Sequence, residues 1–233
     1  LLAEAGGRAF KVKNDCSYTV WPAVANYPTG TSTLYSGTKA WEAAAGSEQD
    51  ITIPAGWNGR IWARLDCTKN GDHLSCKFGG DTASAWEPAD NGMGNINLTG
   101  EMDWWDISAV PGFGTTISVV PTDTSCDTAT CTEDLNPTCP SVLAVQGDDG
   151  SNIGCLSACN AKINAVEPSY NCCSGIYDDR TLCTKDKIDY YDFFKDGCTH
   201  AYAYPFDDGT NDPAVVYTCD TSKESGYTIT FCP

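Results

Sequence analysis

Fourteen cysteines in 233 residues constrain this chain more than any other feature. Thiols at that density would be held reduced and reactive in the cytosol. An even, dense set belongs to an oxidising compartment, where it pairs as disulfides. Zinc is the competing use, and it takes cysteines in CxxC pairs or in pairs joined by histidine pairs. Here there are two histidines, His73 and His200, and no CxxC. The closest spacings are Cys155 to Cys159, Cys126 to Cys131 and the adjacent Cys172-Cys173. Disulfides are therefore expected, with no metal and no cofactor.

The length suits one large all-β domain able to bury its own core. Hydrophobic residues make up 41% and charged residues 19%, a globular rather than a disordered balance. Lysine and arginine number 14 against 31 aspartates and glutamates, for a net charge of −17. That field repels nucleic acid and anionic membranes, so neither is an expected partner. It fits solubility outside the cell, or a carboxylate-lined cleft for a neutral polymer such as a sugar. No apolar run approaches the roughly 20 residues of a membrane helix. The opening Leu1-Leu2-Ala3-Glu4-Ala5 reads as the end of a processed leader, so residues 1–8 are set aside as a leader remnant or flexible tail. Asn97-Leu98-Thr99 is a glycosylation sequon.

Period-two alternation of β-branched and aromatic residues predicts strands over 8–25, around Ile51 and Ile53, and over Ile61 to Leu65. Asn58-Gly59 reads as a hairpin turn. Residues 67–95 read as loop, and strands return at 96–98, 102–107 and 116–120. Beyond Pro121 the alternation fades, and nine of the fourteen cysteines lie from Cys126 to Cys198. Apolar spacing predicts short helices over 153–164 and 186–195, with strands again at 201–204, 215–218 and 227–231.

Several motifs resemble the thaumatin-like family. Asn14-Asp15-Cys16-Ser17-Tyr18-Thr19-Val20-Trp21-Pro22-Ala23 is similar to its opening strand, and Gly59-Arg60-Ile61-Trp62-Ala63-Arg64 to a later one. Asp103-Trp104-Trp105-Asp106-Ile107-Ser108 with Gly112-Phe113 resembles its central strand and following turn. Cys172-Cys173, Phe193-Phe194-Lys195 before Cys198, and the ending Tyr227 to Pro233 fit too. The resemblance covers residues 9–233. It implies a mainly β fold: a flattened β-sandwich body (9–125 and 199–233) beside a disulfide-rich subdomain with short helices (126–198).

Fourteen cysteines can pair in on the order of 10⁵ ways; the resemblance selects one. It implies Cys16–Cys232, Cys67–Cys76, Cys126–Cys219, Cys131–Cys198, Cys139–Cys155, Cys159–Cys172 and Cys173–Cys183. The usual members carry a further pair within 77–95, which makes that loop region divergent here.

The family cleft holds an Arg, a Glu and several Asp. By resemblance Arg64 matches the Arg, Asp103 and Asp106 the central-strand Asp, and Asp207 the Asp after the long strand. The Glu falls where this chain reads Gly94-Asn95-Ile96, so Glu101 and Glu87 are the candidate substitutes. Glycoside hydrolysis uses two carboxyl groups, one an acid with a raised pKa and the other ionised. Residues two apart on a strand share a face, so Glu101 and Asp103 can meet one substrate, with Asp207 facing them. Glu101 or Asp207 is the candidate acid, and Asp103 or Asp106 the candidate base. Trp104, Trp105, Trp86, Tyr202 and Phe206 are candidate sugar platforms, although a Trp more often packs in a core. The two Asp near Arg64 equally suit a structural ion-pair network.

The resemblance implies a secreted monomer of the extracellular space or cell wall that binds β-1,3-glucan in an acidic cleft, with or without weak endo-β-1,3-glucanase activity. A non-catalytic antifungal or wall-binding module and an inhibitor of a secreted hydrolase are the alternatives.

Overall fold

The computed structural model describes residues 6–27, 32–71, 73–80, 93–209 and 214–233. The strands, in chain order, begin with β1 (Gly7–Asn14), β2 (Trp21–Asn26), β3 (Glu48–Pro54), β4 (Asn58–Asn70) and β5 (His73–Phe78). Next come β6 (Met93–Asn97), β7 (Met102–Ser108), β8 (Gly112–Phe113), β9 (Ile117–Pro121) and β10 (Ala129–Cys131). The last are β11 (Ala144–Gln146), β12 (Asn152–Leu156), β13 (Val216–Asp220) and β14 (Tyr227–Phe231). A short helix, α1, spans Tyr191–Gly197.

Two sheets form the body. One has the order β10-β9-β14-β1-β3. The other runs β13-β7-β6-β4-β2, with β5 folded back on the far half of β4. A small third sheet, β11-β12-β8, lies beside them. The last strand returns to the first: β14 pairs β1 in parallel, with Val12 opposite Ile229, and Cys16 is bridged to Cys232. The alternating apolar residues of the sheets meet in one core. Phe10, Ile53, Val119 and Ile229 come from the first sheet, and Ile61, Ile96, Trp105 and Ile107 from the second. Its aromatic centre packs Tyr227 against Phe10 at 5.2 Å and Trp105 at 5.3 Å.

The disulfides follow the pairing that the resemblance implies, and no described cysteine is free. Cys126–Cys219 and Cys131–Cys198 tie the cysteine-rich stretch to the edge of the body. Among the described residues no helix is long and apolar enough to cross a membrane.

Several local expectations are corrected. Asn58-Gly59 makes no hairpin: β3 and β4 belong to different sheets, and the turn lies earlier, at Gly56 with φ +76°. Gly59 serves a close approach instead, since a Cβ there would overlap the Trp57 ring and the Ala25 carbonyl. Residues 67–95 are not all loop; β4 and β5 form a hairpin stapled by Cys67–Cys76. The helix read at 153–164 is strand β12 followed by turns, and Lys162 and Asn164 have φ of +62° and +47°. Short apolar runs carry no reliable period. The helix read at 186–195 is broken in two: a 3-10 turn at Lys185–Lys187, then α1 from Tyr191, after left-handed Tyr190. Residues 201–204 contribute a single bridge, Ser108 to Tyr202. Residues 129–131, assigned to the subdomain, add a strand to the body sheet.

Candidate functional site

The outer face of the second sheet carries the site. Along β4, β6 and β7 the apolar partners Ile61, Ile96, Trp105 and Ile107 point into the core. Period two then sends Arg60, Asn95, Trp104 and Asp106 the other way. The register aligns three of them: Arg60 stands opposite Asn95, and Asn95 opposite Asp106. This row floors a cavity of about 390 Å³. Ser108 extends the floor. The wall comes from the disulfide-rich side, including Asn160, Asn171 and Asp189, and from Tyr202 and Tyr204. Tyr202 is fixed there by its backbone, whose N–H donates to the Ile107 carbonyl at 2.9 Å and whose carbonyl accepts from Ala109 at 2.7 Å.

Asn95 Nδ2 donates to Asp106 Oδ1 at 2.6 Å. Burial pushes the Asp106 carboxyl up from 3.8 to about 7, with Asp208 adding to the rise. The Asn95 hydrogen bond and the Arg60 charge oppose it without overcoming the burial. Asn95 Oδ1 is buried and has no hydrogen-bond partner among the described residues. Burial, then the charges of Asp106 and Asp208, pushes the Tyr202 phenol well above its usual range. The floor near neutral pH thus offers a partly protonated carboxyl, an open carboxamide oxygen, a phenol and a guanidinium. Arg60 also lies 4.8 Å over the Tyr27 ring.

The other expected site residues lie elsewhere. Asp103 is fully buried on the opposite face of β7, between the sheets. It pairs with Arg8 at 3.1 Å and accepts from Tyr227 at 2.8 Å and Thr221 at 2.9 Å. Both its oxygens are committed, so it is a structural anion and not a cleft base. Glu101 is exposed in the turn ahead of β7 and does not line the cavity, so the expected pairing of Glu101 with Asp103 does not form. Arg64, 2% exposed, donates to the Trp21 and Pro22 carbonyls of β2; Arg60, four residues earlier on the same face of β4, is the cation that lines the cleft.

Asp207 is buried and spans α1 and its own loop. It pairs with Lys195 at 3.0 Å and accepts from Tyr191 and the Ala203 amide, both at 2.9 Å. Its neighbour Asp208 is the carboxylate whose charge reaches Asp106, and it pairs with Arg180 at 3.2 Å. Phe206 lies under Arg180 at 5.5 Å and does not line this cavity; it lines a separate one beside α1 with Tyr191, Lys195 and Asp207. Trp105 is core, whereas Trp104 is 47% exposed on the outer face of β7, two residues from Asp106 and outside the cavity lining. Glu87 and Trp86 lie outside the described residues. No described group of three or more His, Cys, Asp and Glu is arranged to hold a metal ion.

Asn95 and Arg60 are the residues that reading the sequence missed. Their signal was parity: both alternate with buried apolar neighbours on strands next to β7. Which position along β4 meets Asp106 depends on register, and register is not local.

A bridged β-sandwich whose outer sheet face and disulfide-rich side enclose a polar, carboxyl-bearing cleft defines the class of this molecule. The family model "Thaumatin family" matches residues 14–233, and the chain belongs to that family. It is 34% identical over 235 residues to thaumatin-like protein 1 of Pyrus pyrifolia, covering 96% of this chain and 90% of the relative. It is 32% identical over 246 residues to a Prunus avium protein named glucan endo-1,3-beta-glucosidase, covering 100% and 93%. Among solved structures, a laminaripentaose-producing β-1,3-glucanase in complex with laminaritetraose shares the fold. Its TM-score is 0.59 at 12% identity, over 98% of this chain and 99% of that one.

Proposed function

We propose that this chain binds a β-1,3-glucan in the Arg60–Asn95–Asp106 cleft, as a non-catalytic extracellular or cell-wall module. The observation that carries the reading is the Asn95–Asp106 contact on the cleft floor. A carboxyl that burial keeps partly protonated at neutral pH is joined there to a carboxamide. Such a pair donates to and accepts from sugar hydroxyls. Glycoside hydrolysis asks for more: two carboxyl groups with separated roles flanking one bond. Asp103 and Asp207 are tied up in buried ion pairs and supply neither role. The Prunus avium relative's name supports a β-1,3-glucan as the ligand class.

A second reading, weak hydrolysis, is favoured by one observation. Asp106 has the raised pKa of an acid, and Asp208 is an exposed carboxylate close enough to act on it. The experiment is reducing-sugar release from a linear β-1,3-glucan beside a pull-down on the insoluble polymer, with wild type, Asp106→Asn and Asp208→Asn. Binding without release supports the module. Release abolished in a variant that still binds makes the chain a glucanase through that residue. Neither binding nor release overturns the glucan reading and turns the search to protein partners.

A further inference from the structure

The sequon at Asn97 sits in the same outer sheet face as the cleft. Asn97 stands directly opposite Trp104 in the β6–β7 register, one row along from the Asn95–Asp106 pair. Opposed side chains on one sheet face have Cβ atoms about 5 Å apart, and successive same-face positions along a strand lie about 7 Å apart. Trp104 is 47% exposed, an unusual exposure for the largest apolar side chain, and nothing in the core needs it. Its other cross-strand neighbour, Thr218, is exposed as well. Asn97 Oδ1 accepts from the Thr99 hydroxyl at 2.7 Å and the Thr99 amide at 3.0 Å. Both contacts use the oxygen; Nδ2 is the atom that glycosyl transfer uses.

We propose that Asn97 is N-glycosylated and that its first sugar lies on the face of Trp104, so that the glycan closes the Trp104 end of the cleft. In the transfer, Asn97 Nδ2 bonds to C1 of the first N-acetylglucosamine of a lipid-pyrophosphate oligosaccharide donor. The C1–O bond breaks, the lipid pyrophosphate leaves with the bonding pair, and the amide proton is lost to a base of the transferring enzyme. The attached sugar then starts beside the indole, whose ring suits the apolar face of a pyranose. A glucan running along β7 from Asp106 would cross the same ring. Glycan and glucan therefore compete for Trp104, and occupancy of the sequon sets how long a glucan segment the cleft can hold. The competition rests on the glucan reading; the glycan's seat on Trp104 does not.

The test uses the full chain secreted from a glycosylating eukaryotic host, with Asn97→Gln and Thr99→Ala as two independent glycan-free forms. Peptide mass spectrometry reads occupancy at Asn97 and the rate of N-bromosuccinimide oxidation at Trp104. The expected result is a hexosamine-bearing Asn97 in wild type and a Trp104 that reacts several-fold faster in both glycan-free forms. Pull-down on insoluble β-1,3-glucan should strengthen about tenfold, the equivalent of one stacking contact, when the glycan is absent. An unmodified Asn97, or equal Trp104 reactivity in all forms, overturns the proposal. Shielding of Trp104 with equal glucan binding in all forms overturns the competition. Shielding with no glucan binding by any form leaves the glycan's seat standing and sinks the glucan reading instead.

Discussion

Asn95 Nδ2 and Asp106 Oδ1 meet at 2.6 Å across two neighbouring strands, and this contact places a carboxamide beside a carboxyl raised to about 7. The rise has a consequence for stability. The carboxyl binds its proton more tightly folded than unfolded, where its value is 3.8. Below 3.8 both states are protonated and Asp106 has no differential effect. Between 3.8 and about 7 the folded state holds the extra proton, so stability falls as pH rises. Above about 7 the full cost of a buried carboxylate remains. Asp106→Asn keeps the shape and removes the titration. Its melting temperature should match wild type at the acid end and exceed it increasingly toward pH 8. Parallel melting curves across that range would contradict the raised pKa.

Replacing Asn95 by Glu restores a second carboxyl beside Asp106. Like charges at that distance cannot both ionise easily, so the pair will titrate in two separated steps. The expected outcome is reducing-sugar release above the wild-type level with a bell-shaped pH profile, and glucan binding within a few-fold of wild type. Absence of any release from a folded, binding variant would show that more than this carboxyl separates the cleft from a hydrolase.

Arg8 and Asp103 join the two sheets through the core, with Tyr227 and Thr221 completing the network. Removing one partner leaves an uncompensated buried charge, at a cost of about 3–5 kcal/mol. Asp103→Asn should therefore lower the denaturant midpoint strongly, as should Arg8→Met. The double variant should lose less than the sum of the two. Glucan pull-down at a temperature where each variant is folded should be unchanged. Lost binding in folded Asp103→Asn would return Asp103 to the candidate site.

Much of this architecture was legible in the residues. The cysteine density pointed to disulfides, the family resemblance supplied their pairing, and alternation located most body strands. The central strand shows where legibility ended. Asp103 has the parity of Trp105 and Ile107, which the structure buries, so period two already put it inside; a motif match put it in the cleft. Asp106 is three residues from Asp103 and faces the opposite way. Arg60 and Arg64 share parity, and the pairing with Asn95 alone separates them. Asp207 and Asp208 are adjacent in a turn, where neither parity nor spacing says which one is locked by Lys195. Register and turn geometry are set by long-range packing, so these residues carried no local signal for it.

Asp207 acts on the cleft at one remove. Its two oxygens gather Lys195 and Tyr191 of α1 and the Ala203 amide, which holds the segment carrying Tyr202 against the sheet. Asp207→Asn keeps most of the shape but weakens the Lys195 contact and leaves the ammonium half-served. The loss should appear first as local opening. Amides near 201–209 should exchange faster in native-state hydrogen exchange, while core amides such as Ile107 and Ile229 change little. Glucan affinity should fall through the loosened Tyr202, and Lys195→Met should reproduce both effects. Uniform acceleration across all amides would make the contact a general stabiliser. Unchanged exchange with lost binding would make Asp207 a direct ligand group.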